Sequence, residues 1–411
     1  MAPSEPSFLL PFPRLMSGEA LLKHIFIVLG LLISCIGCGE VEKAPLHSYQ
    51  ERPLRALLAP GYPDEIPDLD DTPSETYADV LRAVYGLRPE WVASSDFEKV
   101  TQRFGRTVID MNTLPYQSPV HDSGLRPWSA WWYPKFEKTL FENPDGEATL
   151  VKYDRYRQQL YRNEGRSPPI DSAATIERTH HDSGALKWEG LCNAWSFASL
   201  LRPEPTRIFR HRLPTGIVSI DVADQKALLM KSFEGIEDSQ IDVWGQKFTG
   251  DDRGWIHPDP FPDQFHRFIE EMLVNRREAF IMDHEAGVEI WNVPVYKANY
   301  KMEAVPGRDD AVQVRMWLYA AAPLRKEQIQ EVGLKETLRE YHYVLLGRPL
   351  GAGRLEVVSG VWIKGPNGTD SRKSHPDYFM TIPDKERVTR QSFNAAIEAR
   401  VVDKITSGEG I

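Results

Sequence analysis

Trp188-Glu189-Gly190-Leu191-Cys192-Asn193-Ala194-Trp195-Ser196-Phe197-Ala198-Ser199-Leu200-Leu201-Arg202-Pro203 is the stretch on which the reading of the fold turns. Gly190 ends the preceding segment, Trp195, Ala198 and Leu201 recur at helical spacing, and Pro203 bounds the run. The spacing therefore predicts a short helix with Cys192 at or just before its first turn. Unpaired N–H groups and the dipole at a helix start favour the thiolate, the nucleophilic form of cysteine. A cysteine so placed, between glycine and aromatic residues, suits a thiol acyl-transfer enzyme of papain-like design. It suits an inert buried thiol equally well, because cysteine is among the most buried residue types.

The rest of the composition narrows the field around that thiol. A chain of 411 residues with 41% hydrophobic and 26% charged side chains is globular and long enough for a sizeable core. Its 31 prolines and 28 glycines speak for many turns and against a coiled coil or a simple bundle. The net charge of −10 offers no footprint for nucleic acid. Three cysteines exclude a disulfide framework, and two of them, Cys35 and Cys38, fall in a targeting segment, so Cys192 is the sole thiol of the body.

Residues 1–34 read as a signal peptide, with Met16 as a candidate true start, and Lys23 and His24 ahead of an apolar run from Ile25 to Ile33. That run is far shorter than the ~20 residues needed to span a bilayer. Leu32-Ile33-Ser34-Cys35 resembles a bacterial lipobox, with Cys38 as the rival acceptor. The expectation is an exported lipoprotein, held on the cell envelope at the outer membrane or periplasmic face. Residues 35–76 are acidic and proline-punctuated and read as an extended tether. Residues 77–411 then form the catalytic body. Within it Tyr77 to Leu87 and Phe265 to Val274 have helical spacing, whereas Val312 to Tyr319, Tyr341 to Leu346 and Leu355 to Trp362 alternate as strands, the last two as a hairpin. Helices early and antiparallel strands late make the fold class α+β. The tryptophans of Trp128 to Trp132 read as a core wall or pocket lining.

A thiol nucleophile needs a base within hydrogen-bond reach. His211, between Arg210 and Arg212, reads as solvated basic surface, and His266 as packing or surface. His180 and His181 precede the thiol in a polar turn, but no further cysteine or histidine follows at zinc-site spacing, so no metal site is called. His284, after Asp283 and before Trp291-Asn292, and His375, in His375-Pro376-Asp377-Tyr378, are the two remaining candidates. Spacing alone does not choose between them.

A series of landmarks in order resembles the transglutaminase elicitor family, which is typified by secreted oomycete cell-wall transglutaminases and has bacterial homologues. Trp128-Ser129-Ala130-Trp131-Trp132-Tyr133-Pro134, Lys152-Tyr153-Asp154, Ser172-Ala173-Ala174 with Glu177, Gly190-Leu191-Cys192-Asn193-Ala194-Trp195, Glu289-Ile290-Trp291-Asn292-Val293-Pro294-Val295-Tyr296, Gly360-Val361-Trp362 and His375-Pro376-Asp377-Tyr378 carry it, over about residues 120–385. The resemblance implies a papain/transglutaminase-like thiol acyltransferase body with Cys192 as nucleophile and His375 as base. It leaves Asn292, Asp377 and Ser172 as supporting candidates. Ala194, Val293 and Val361 depart from the family's glycine, glutamine and glutamate, which bears on acyl-donor preference more than on the chemistry.

The activity implied is protein-glutamine γ-glutamyl transfer. Cys192 takes the acyl group of a glutamine with loss of ammonia, and a lysine or polyamine amine then receives it. Trp128, Trp188, Trp195 and Trp291 are candidates for a substrate channel that excludes water. Calcium enters through the resemblance alone, since no Asp-x-Asp-x-Asp-Gly loop is present. A thiol hydrolase (protease, deamidase or amidase) on the same fold and a non-catalytic surface lipoprotein remain the alternatives.

Overall fold

The strands expected at Val312–Tyr319, Tyr341–Leu346 and Leu355–Trp362 are present as Ala311–Ala321, Glu336–Gly351 and Arg354–Trp362, and Asn292–Ala304 adds a long strand that was not expected. The computed structural model describes residues 99–245, 260–284, 289–372 and 374–409. The signal peptide, Cys35, Cys38, the tether and the helix expected over Tyr77 to Leu87 lie outside the described residues. Strands β1 (Val108–Asp110), β2 (Tyr116–Gln117), β3 (His121–Asp122), β4 (Phe209–Leu213), β5 (Gly216–Ile220), β6 (Asp242–Gly245), β7 (Phe280–Asp283), β8 (Asn292–Ala304), β9 (Ala311–Ala321), β10 (Glu336–Gly351), β11 (Arg354–Trp362) and β12 (Tyr378–Thr381) are described. Ten of them form one antiparallel sheet in the order β1-β11-β10-β9-β8-β7-β12-β6, with β2 and β3 also paired to β8. The expected hairpin is β10–β11, turned by Ala352 and Gly353, both at positive φ (53° and 73°). That pair of left-handed residues matches the twist of the flanking strands. In β9 the inward set is Val312, Val314, Met316, Leu318 and Ala320, the two-residue period of a sheet face.

Helices α1 (Lys99–Phe104), α2 (Thr149–Asn163), α3 (Ala173–His180), α4 (Cys192–Leu201) and α5 (Val222–Phe233) precede most of these strands, so the class is mixed helix and sheet with the helices early. α6 (Pro262–Ile269) realises the amphipathic run predicted from Phe265 and continues as a π-helical turn, Glu270–Asn275. Its Phe265 ring lies 5.2 Å from both Tyr341 and Trp362, 5.6 Å from Tyr343 and 6.0 Å from Phe379. Phe268 stacks on Phe379 at 4.5 Å. This aromatic cluster joins α6 to the sheet and buries the helix face completely. α7 (Lys385–Thr389) and α8 (Ala399–Ser407) end the described chain.

His211 corrects its sequence reading. It is buried, edge-on to Tyr156 at 4.8 Å, because β4 alternates: Arg210 and Arg212 face out and the residue between them faces in. His266 is buried as packing, its Nδ1 2.7 Å from the Tyr343 hydroxyl. Among the described residues no helix is long and apolar enough to cross a membrane.

Candidate active site

Cys192 is the first residue of α4 and is buried. Its position is set by a close approach of two backbones. The Leu191 N–H donates to the Trp132 carbonyl at 2.6 Å, and the Trp195 N–H closes the first helical turn on the Leu191 carbonyl at 2.7 Å. Gly190 permits this: a Cβ there would sit 2.8 Å from the Trp132 carbonyl oxygen and 2.9 Å from that of Tyr133. The glycine ahead of the thiol is thus a packing requirement rather than a turn signal.

α4 lies against the ends of the central strands. Cross-strand pairing puts Asn292 of β8 beside Asp283 of β7, Asp283 beside Tyr378 of β12, and Tyr378 beside Gly245 of β6. Paired residues share a sheet face. The helix is pinned to this row by the Ser196 hydroxyl, which donates to the Asn292 carbonyl at 2.9 Å and lies 3.0 Å from the Cys192 carbonyl. Asn292 Nδ2 donates to Asn193 Oδ1 at 3.3 Å, and Asp283 Oδ1 accepts from the Trp291 N–H at 3.1 Å. The thiol itself points at the Ile290 carbonyl, 3.6 Å away.

Burial overrides the expected helix-start effect on the thiol. Desolvation pushes Cys192 up to about 11, and the Asp283 charge pushes the same way, against the backbone N–H groups of Asn292, Asn193 and Cys192 itself. The resting sulfur is therefore a thiol at neutral pH, and a base must remove its proton when it reacts. Alkylation of native Cys192 by iodoacetamide is accordingly expected to rise with pH around a midpoint near 11, against ~8.5 in the denatured chain. A native midpoint below 8 would contradict this balance of burial over backbone donors.

Two cavities reach the sulfur. The smaller, about 210 Å³, is lined by Trp132, Trp195, His284, Trp291 and Arg339 among others. The larger, about 550 Å³, is lined by Trp188, Asn193, Asp238, Tyr378 and Met380 among others, and Asn292 borders both. Trp132 and Trp291 meet edge to face at 5.4 Å at the smaller cavity. Of the proposed channel tryptophans, Trp195 and Trp291 line the smaller cavity and Trp188 the larger. Trp128 is core, with its indole N–H on the Arg202 carbonyl at 3.0 Å.

The two candidate histidines separate. His284 lines the smaller cavity, with Nδ1 2.9 Å from the Trp291 carbonyl and Nε2 against the Arg339 guanidinium. His375 lines neither cavity. It is buried, stacked on Trp362 at 5.6 Å, with Nδ1 3.2 Å from the Ser371 carbonyl. Burial lowers its pKa, and the Asp377 charge opposes that shift. Asp377 is buried as well. Ser172 is the N-cap of α3, accepting from the Thr175 N–H at 3.2 Å and donating to Asp154 at 2.7 Å, so its hydroxyl is spent on the helix start.

Asp283 and Tyr378 were not singled out as site residues from the sequence. The signal for Asp283 is a charged residue closing an otherwise apolar strand, Phe280–Asp283, all of it buried. Burial, and then the Asp283 charge, raise the Tyr378 hydroxyl well above the usual range. Among the described residues no group of three or more His, Cys, Asp or Glu side chains is placed to hold a metal ion.

Residues 164–316 match the family model described as Transglutaminase elicitor. No curated protein matches the chain. Among solved structures, the crystal structure of the GP42 transglutaminase from Phytophthora sojae aligns at 18% identity over 76% of this chain and 98% of that one, with a TM-score of 0.49. The matched segment contains both Gly190–Trp195, which carries the thiol, and Glu289–Tyr296, and over that segment the chain is similar to the transglutaminase elicitor family.

Proposed function

We propose that the chain is a thiol acyltransferase that joins protein glutamine to amines, with Cys192 as nucleophile on a papain/transglutaminase-like plan. The observation that carries this reading is a helix-start thiol reached by two cavities, with three backbone N–H groups directed at it and the buried Asp283 on the strand beside Asn292. Asp283, rather than His375, is taken as the proton acceptor in this reading, because it is buried on the strand beside Asn292 and its charge is felt at the sulfur, whereas His375 lies against Trp362 and lines neither cavity.

The steps balance as follows. The sulfur attacks the carboxamide carbon as its proton passes to Asp283, and backbone N–H groups at the helix start hold the oxyanion. The C–N bond breaks, the proton leaves with the amide nitrogen as ammonia, and a thioester remains. An amine then attacks the thioester, gives its proton to Asp283, and the isopeptide product departs as the proton returns to the sulfur. The indoles of Trp132, Trp195 and Trp291 keep water from the thioester, the condition that separates transfer from hydrolysis. The address proposed from residues 1–38, export and lipid attachment at Cys35 or Cys38, would set this chemistry at the cell envelope.

The experiment is acid quenching of the enzyme with a glutamine peptide in the absence of amine, followed by intact-mass analysis. A peptide adduct that has lost ammonia and is released by hydroxylamine is expected on wild type and absent from Cys192→Ala. An unmodified wild-type chain together with ammonia release would contradict the thioester.

A further inference from the structure

Asn292 is almost fully buried, 2% exposed, at the point shared by both cavities that reach Cys192. Nearly every other polar group it carries is accounted for. Its carbonyl accepts from Ser196, its N–H is directed at the sulfur, and its Nδ2 donates to Asn193 and is directed at the Tyr378 hydroxyl oxygen. Its Oδ1 is buried with no hydrogen-bond partner among the described residues. A buried acceptor left unpaired is costly, and the cost is recovered when a donor arrives.

The geometry points to Asn292 as the residue that reads the acyl donor: its Oδ1 accepts an N–H of the primary carboxamide that Cys192 attacks. This rests on the acyl-transfer reading and deepens it by naming the residue that selects amide over ester. A primary carboxamide carries two N–H donors on the atom that becomes the leaving group. An ester or a carboxylate carries none, so either would leave Oδ1 unpaired in a site already closed by substrate. A polar site rejects an analogue that lacks the group it was built to bond. The selectivity for amide over the intrinsically more reactive ester would thus lie in one side-chain oxygen.

The test compares two acyl donors, a glutamine peptide and the same peptide carrying the γ-methyl ester of glutamate, with one fluorescent amine and the full chain. The quantity read is the ratio of kcat/KM for amide to that for ester. Asn292→Ala is expected to lower this ratio ~10- to 100-fold. Asn292→Asp keeps an acceptor oxygen and is expected to hold the ratio within about threefold of wild type, whatever it does to both rates together. Ester turnover in each variant reports folding, and Asn292→Val, which also lacks an acceptor, replaces Asn292→Ala if the latter has none. A fall of both donors in parallel would overturn the inference and make Asn292 a positioning residue for Asn193 and α4. Wild type inactive on both donors would instead defeat the acyl-transfer reading itself.

Discussion

Asp283→Asn is expected to lower acyl transfer by ~10²- to 10⁴-fold, the usual loss when a positioned proton acceptor is removed. Asparagine has the same shape and keeps an oxygen for the Trp291 N–H, so the row of Asn292, Asp283 and Tyr378 should stand. The substitution also carries a signature of opposite sign. The Asp283 charge raises the thiol's pKa, so its removal lowers that pKa, and iodoacetamide should alkylate Cys192 faster at pH 8 than in wild type. Slower transfer together with faster alkylation distinguishes a lost base from a disturbed fold. If His375→Gln abolishes transfer while Asp283→Asn leaves most of it, the proton acceptor is the histidine of the His-Pro-Asp motif instead.

Phe265→Ala is expected to cost the fold about 3–5 kcal/mol, the range for deleting a buried aromatic ring. Phe265 is fully buried, and four aromatic neighbours, Tyr341, Tyr343, Trp362 and Phe379, surround the ring that would vanish. Those neighbours belong to β10, β11 and β12, which cannot close a gap of that size without breaking their ladders. Urea unfolding should show a midpoint shifted down with little change in slope. A loss under 1 kcal/mol would mean that α6 is not anchored through this ring. Because Trp362 also stacks on His375 and β12 carries Tyr378, the variant is expected to loosen the site as well.

How far the sequence could be read depended on whether an element carried a run of apolar residues at a recognisable spacing. β9 alternates cleanly because one side of it packs on the core, β10 and β11 are buried on both faces over 341–347 and 357–362, and α4 announces itself through Trp195, Ala198 and Leu201 between Gly190 and Pro203. α5 was not predicted. It is buried on every side, so it has no polar face to set its period. It also encloses Lys226 and Lys231, whose ammonium groups are met by Glu204 and by Glu177 and Glu234. Composition alone makes such a segment look like surface.

The site shows the same division. Cys192 and its helix were legible from local spacing, and Asn292 from the resemblance. The neighbour relation among Asn292, Asp283 and Tyr378 is made by strand pairing between residues far apart in the chain, which no local pattern encodes. The thiol's protonation was misread for a related reason. The helix-start contribution is visible in sequence, but the desolvation that outweighs it is a property of the packed state.

One measurement weighs most heavily on this picture: incorporation of a fluorescent primary amine into a glutamine-bearing protein by the purified chain, with ammonia release followed in the same tube. Wild type is expected to incorporate the amine with one ammonia released per bond formed, and Cys192→Ala to do neither while remaining folded. Amine incorporation that survives Cys192→Ala, or ammonia release with no incorporation at any amine concentration, would contradict a transferase built on this thiol.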